Sequence, residues 1–404
     1  MTVCLSLSSL IVFSSCTDGA NGDNKGTKNS EDANFGNQDR IKTSRQGSFE
    51  DLKAKGGFIN KMNPIHIQLA NREIGQYKVQ HVAFSNGKPI LAGYNKNQNS
   101  IELVDLENEK IYNSITFPVE GPEGIRKING IFYHNKDSIF VFGDFVFFLT
   151  DENGNRKFTY TINKPGSELK GDCFPDFTLM PTPEAPAYYY PQKKLLAVHV
   201  YYSRADQWAI PAYYQQPICA QILLDQKKIE LLPMFYPDSF KEANFTPLNG
   251  VHFSFNKELV LFGFGSSPDL YTYNLEDNRT FSYQINSAFY KKPSPYTGAT
   301  DDDYDMIRYI SQYTVYENLL FHPQKKLYYL FSINTALENG NTLLFNISVL
   351  DINLNLLGES HLQAGSNMIP KYSFIVPEGI AFYDWLAGKE SQAVYEVFDF
   401  DFKR

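Results

Sequence analysis

The residues best equipped for ligand chemistry cluster in one stretch, "HVYYSRADQWAIPAYYQQPICA" from His199 to Ala220. It carries Arg204, Asp206, Trp208, Tyr213 and Tyr214, flat rings beside a charged pair, a combination that can stack on a sugar or grip a peptide. The same rings on a strand pair would serve equally to pack one sheet on its neighbour, and both uses stay open. A second stretch, "GATDDDYDMIRY", sets Asp301, Asp303 and Asp305 at alternate positions, as at the start of a calcium loop. The pattern then breaks. Met306 stands where such a loop turns on glycine and Gln312 where a bidentate glutamate closes it, so the stretch reads as a solvated acidic loop and the aspartates as weak metal candidates. The histidines are scattered, none in the i, i+4 pair of a metalloprotease, and "GFGSSP" from Gly263 only approximates the strained G-x-S-x-G turn of a nucleophile. No catalytic residue and no cofactor follow from these motifs. Carboxylates brought together from separate strands would leave no local trace, so a hydrolase of that kind stays open.

These candidates hang on a chain of hairpins. After Lys61 a β-run meets a polar turn, "SNGKPI", "HNKDSI", "PQKKLL", "FNKELV" or "PQKKLY", and an apolar strand leaves it. A further hairpin follows, and its turn carries Asp105, Asp151, Asp225, Glu276 or Asp351, followed by Asn, Lys, Arg or Gly, the chemistry of tight turns. Aromatics make up 15% of the chain, which suits pleated surfaces where rings pack across strands. Repetition of a four-strand unit over a chain of 404 residues predicts an all-β fold, a β-propeller of six four-stranded blades, with seven as the alternative. The last unit is degenerate, and "NPIHIQLANREI" from Asn63 is expected to add the strand that closes the ring. "PEGI" at Pro122 and Pro377 is expected to mark places where an outer strand hands over to the next inner one.

The start of the chain has another character. "MTVCLSLSSLIVFSS" is a short apolar run, and Ser14 and Ser15 before Cys16 resemble the lipobox of bacterial lipoproteins, whose cysteine becomes the lipidated N-terminus. Residues 1–15 are therefore expected to be a signal peptide, 16–62 a flexible polar tether, and 63–404 the propeller. Cys173 and Cys219 then remain in the folded part, as an oxidised pair or as two buried thiols. A net charge of −8 argues against nucleic acid as a partner, since phosphate binding rests on Lys and Arg.

A lipobox-like cysteine, the tether, "EGPEGIRKINGIFYHNKDSIFVF" and "YTVYENLLFHPQKKLYYLFSI" together resemble the TolB-like six-bladed propeller lipoproteins of Gram-negative bacteria, most closely the domain-of-unknown-function 4221 family. The likeness covers most of the chain after the tether. It implies a propeller at the cell envelope, anchored to the outer membrane through its N-terminal lipid, and it carries over no reaction and no catalytic residue. The expected role is that of a non-enzymatic binding or scaffold module for a protein or glycan partner at the envelope. The alternative is a carbohydrate-active or lactonase-like hydrolase with carboxylates at the channel mouth.

Overall fold

The computed structural model describes residues 44–46, 57–69, 77–85, 87–121, 124–144, 146–161, 177–202, 213–298, 302–334, 344–362, 368–384, 387–388 and 392–402. They form six sheets arranged in a ring, a six-bladed β-propeller, antiparallel throughout except that Ser44–Gln46 runs parallel beside Thr280–Gln284 in the fourth blade. The inner strands of the blades are, in chain order, Gln80–Ser85, Gly130–Asn135, the broken pair Phe177–Leu179 and Tyr188–Tyr190, Val251–Asn256, Thr314–His322 and Met368–Val376. In the first five blades the chain meanders outward from the inner strand through three more strands, and in the sixth through two, the outer place being filled by strands from earlier in the chain. Turns from first to second strand and from third to fourth therefore gather at one end of the ring, and the connections between blades at the other.

Burial follows the position of a strand within its blade. Ser138–Phe142 and Leu259–Phe264 are buried almost throughout, because neighbouring blades cover both faces. Outer strands keep one wet face, and Lys110–Thr116 alternates half-buried with exposed residues. In the third blade the turn between third and fourth strands is the 3-10 turn Leu224–Gln226, and Asp225 pairs with Lys194 at 2.9 Å, whereas in the first, second, fourth and fifth blades the tight turn there rests on a side-chain acceptor. Asp105 Oδ1 takes the amides of Glu107 (3.0 Å) and Asn108 (3.1 Å), Asp151 Oδ1 those of Asn153 (2.9 Å) and Asn155 (3.0 Å), and Asp351 Oδ1 those of Asn353 (2.8 Å) and Asn355 (2.9 Å). In the fourth blade Asn274 performs this task and Glu276 only donates its amide to it, at 2.7 Å.

Two sequence expectations are corrected. Pro377 lies between Met368–Val376 and Gly379–Asp384, so the second "PEGI" turns an inner strand into the second strand of the same blade. The acidic stretch is no loop over its described part, because Asp303–Ile310 is a helix. Asp302 caps it by accepting from the amides of Tyr304 and Asp305, and Met306, Tyr309 and Ile310 bury its inner face against Leu248 and Tyr296.

The ring closes through its two chain ends. Gly57–Lys61 and Ile65–Gln68 pair antiparallel along Gln392–Phe402, from Gly57 opposite Phe402 to Gln68 opposite Gln392. The closing strand expected from Asn63 is thus present, and it is extended by a strand that begins at Gly57. Ile65 and Ile67 join Tyr372, Phe374 and Tyr395 of the last blade and Leu91 and Val104 of the first in one apolar cluster.

Because Ile67 is fully buried and His66 exposed, Ile67→Ala is expected to cost about 2–5 kcal/mol in urea unfolding. His66→Ala should stay within about 0.5 kcal/mol of wild type. Equal unfolding midpoints for the two variants would remove the closing strand's role.

Candidate functional site

The inner strands surround an axial channel of about 480 Å³ that opens where they turn into the second strands. Each blade contributes an aromatic side chain to its wall: Phe84, Phe132, Tyr188, Phe255, Phe321 and Phe374. Tyr188 and Phe255 lie almost parallel, with ring centroids 4.9 Å apart. At the mouth Lys257 is exposed and sits in a left-handed turn, φ 56°. His81 and His134 also line the wall. Burial, helped by His134, pulls the His81 pKa down to about 3, so its ring is neutral, and its Nδ1 accepts from the Tyr133 amide at 3.3 Å.

Charged side chains from three blades meet deeper on the axis. Lys371 Nζ lies 2.8 Å from Glu184 Oε1, and Glu317 feels the charges of both. The cluster stands at the level of Phe253, a channel-lining residue whose amide donates to Glu184 O at 2.8 Å. Each charged residue is delivered by an irregularity in an inner strand. Glu184 occupies the break in the third blade, where Thr182 and Ala185 exchange backbone hydrogen bonds of 3.0 and 3.2 Å between flanking prolines. Glu317 is the extra residue of a bulge between Tyr316 and Asn318, and Lys371 falls in the register shift between Ile369 and Phe374. Bulges of this kind re-aim a side chain out of the ladder. Asn318 ties two of these irregularities together, its Nδ2 donating to Pro370 O and Ser373 Oγ, both at 3.1 Å.

Burial raises the Glu317 pKa to about 8, the Lys371 charge working against this and the Glu184 charge adding to it. At Lys371 burial disfavours the charged form, but the attraction and hydrogen bond of Glu184 outweigh it and hold the ammonium above its ordinary value. His199 faces the same cluster, lowered to about 4 chiefly by burial, and its Nδ1 lies 3.3 Å from Met180 O. Among the described residues nothing bonds the buried Oε2 atoms of Glu184 and Glu317.

The residues singled out from the sequence lie elsewhere. Arg204, Asp206 and Trp208 fall outside the described residues, as do Cys16, Cys173 and Asp301. Tyr213 and Tyr214 are 8% and 1% exposed and pack with Tyr202, Tyr236 and Phe240, Tyr236 in turn meeting Phe264, so their rings fill the interior between the third and fourth blades. Cys219 is buried in a strand, and burial pushes its thiol up to about 12. Asp303 and Asp305 sit in the first turn of the helix, where Asp305 pairs with Arg308 at 2.6 Å, and no described group of three His, Cys, Asp or Glu side chains is placed to hold a metal. Glu184, Glu317 and Lys371 were missed. Their signal was a lone charge in the middle of an apolar inner strand, "TVYENLLFH" and "MIPKYSFIV", and a glutamate pinned between prolines in "TPEAPA".

The sequence model of a family described as a domain of unknown function, DUF4221, matches residues 71–361. Among solved structures, a DUF4221 family member from Bacteroides vulgatus is similar with a TM-score of 0.71 and 18% identity, over 86% of this chain and 99% of its own. A protein from Bacteroides fragilis described as exported gives a TM-score of 0.53 and 9% identity, over 89% of this chain and 99% of its own. At these identities the likeness shows the fold alone. None of the curated proteins matches the chain.

The raised pKa of Glu317 makes a pH prediction. The folded chain keeps this proton up to about 8, whereas the unfolded chain releases it near the ordinary 4.5. The contribution is therefore fully present below about 4.5 and lost as pH rises through about 8. Glu317→Gln should gain stability relative to wild type between pH values of about 5 and 8, read as a widening gap in urea midpoints. A constant gap would show that Glu317 titrates normally.

Proposed function

The chain belongs to the DUF4221 family, and from that premise we propose that it is a binding module of the cell envelope that takes a protein or glycan partner at the open end of its channel. The aromatic-walled channel is the observation that carries this reading, because concave, mostly apolar sites with a few buried polar groups are where propellers and other folds hold ligands. The envelope address rests on the lipobox-like start at Cys16 and on the description of the Bacteroides fragilis neighbour as exported. Attachment is assigned to a lipid on Cys16 because Ser14 and Ser15 precede it as in a lipobox.

One observation favours the hydrolase reading. Glu317 holds its proton near neutral pH beside a second carboxylate, as a general acid does. Lys371, however, pairs with that second carboxylate, Glu184, at 2.8 Å, which ill suits a free base or nucleophile. Binding is therefore the better-supported role.

Two measurements test the reading. In living cells, photo-crosslinking should capture a partner with wild type and with His66→Asp on the outer edge. Phe84→Asp, at the 38% exposed mouth residue, should reduce that crosslink at least about tenfold. An undiminished crosslink with Phe84→Asp would move the partner away from the channel. Palmitate labelling should be lost in Cys16→Ala, and labelling equal to wild type would overturn the lipid anchor.

A further inference from the structure

We propose that the channel mouth docks an acidic peptide segment of a partner protein, with an apolar side chain of the segment entering the channel and its carboxylates meeting lysines on the rim. This deepens the binding-module reading and rests on it.

The first ground is the charge of the wall. No aspartate or glutamate is among the described residues that line the channel, although the whole chain carries a net charge of −8. The wall does offer donors. Lys257 is a cation at the mouth, and His81, neutral and accepting at Nδ1 from the Tyr133 amide, carries its proton on Nε2. The buried cluster behind the wall adds no net charge near neutral pH, since Lys371 offsets Glu184 at 2.8 Å and Glu317 keeps its proton. An anion at the mouth therefore meets a cation and no carboxylate of the wall, whereas a cation meets Lys257 with nothing in the wall to offset it.

The second ground is the rim. In five of the six blades a lysine stands in or beside the turn from first to second strand: Lys88, Lys136, Lys194, Lys257 and Lys326. Lys88 and Lys194 pair outward, with Glu107 at 3.6 Å and Asp225 at 2.9 Å. Lys136, Lys257 and Lys326 are exposed and have no ion pair among the described residues. They belong to the second, fourth and fifth blades, so they surround the mouth instead of marking one side of it. The acids of these turns, Asp137, Glu258 and Glu378, do not line the channel.

The third ground separates a peptide from a glycan. Apart from Tyr133, Tyr188 and the two histidines, the rings of the wall are phenylalanines, which offer saccharide hydroxyls no hydrogen bond, and the Tyr133 hydroxyl already donates to Glu152 at 2.8 Å. Phe84 at the mouth keeps 38% of its surface exposed, apolar area that a side chain from a partner covers on docking. A peptide supplies such an apolar anchor and carboxylates within a few residues of each other, and a buried anchor within a polar rim is the usual anatomy of a protein interface.

The test selects peptides from a random display library on the full purified chain, discarding those that also bind Phe84→Asp. The retained peptides should be enriched in Asp and Glu around one large apolar residue. When the best of them is titrated by fluorescence anisotropy, Lys257→Glu should weaken binding at least about fivefold, and Lys292→Glu, at the opposite end of the ring, should leave it within about twofold. Should Lys257→Glu fail to fold, Lys326→Glu takes its place with the same expectation. Retained peptides that are basic or uncharged, or wild-type affinity in the rim variant, would overturn the proposal. If no peptide is retained while the Phe84-dependent crosslink persists in cells, this inference fails and the binding-module reading stands. If that crosslink is absent as well, both fail.

Discussion

The pairing of Gly57–Lys61 and Ile65–Gln68 with Gln392–Phe402 is the constraint on which the rest depends. A single blade is a small twisted sheet whose middle strands are apolar on both faces, and only two neighbours can cover it. Six blades cover one another only if the ring is closed. Gly57–Lys61 and Ile65–Gln68 make that closure by supplying the outer strand of the sixth blade and placing Ile65 and Ile67 against the first. An edge that would otherwise present unpaired amides is satisfied in the same step.

Closure also fixes the site. Glu184, Glu317 and Lys371 belong to the third, fifth and sixth blades, and they meet only because the ring returns its inner strands to one axis. Side-chain hydrogen bonds across blades hold that arrangement. Asn318 reaches from the fifth blade to Pro370 and Ser373 of the sixth, Gln80 from the first to Tyr372 O at 3.2 Å, and Tyr112 from the first to Glu152 of the second at 2.8 Å. Buried ion pairs of this kind add little net stability compared with apolar packing. The bulges and the strand break that deliver them are irregularities in otherwise regular inner strands, placed where the channel ends.

What could be read from the sequence was local. Turn chemistry at Asp105, Asp151 and Asp351 and the apolar runs between turns sufficed for strands and blade count, because each is decided by residues a few positions apart. The second "PEGI" misled because the same four residues can turn an inner strand or join two blades, and only the pairing of Gly379–Asp384 with Met368–Val376 distinguishes them. The acidic stretch misled because burial of Met306, Tyr309 and Ile310, a tertiary effect, makes it helical. The aromatic stretch drew notice through its tyrosines, yet Tyr213 and Tyr214 fill interior space. The charged cluster lay out of reach because its members stand at positions 184, 317 and 371, and sequence carries no sign of which positions face a shared axis.

The central claim, that the open channel end is the working face, is tested most directly by lysine acetylation in the native envelope and on the purified chain. Lys257 stands at the channel mouth, and Lys292 is exposed on the connection between the fourth and fifth blades, at the opposite end of the ring. The account predicts that Lys257 reacts several-fold more slowly in the envelope than in isolation while Lys292 reacts equally in both. Equal reactivity of Lys257 in the two settings, with protection of Lys292, would contradict it.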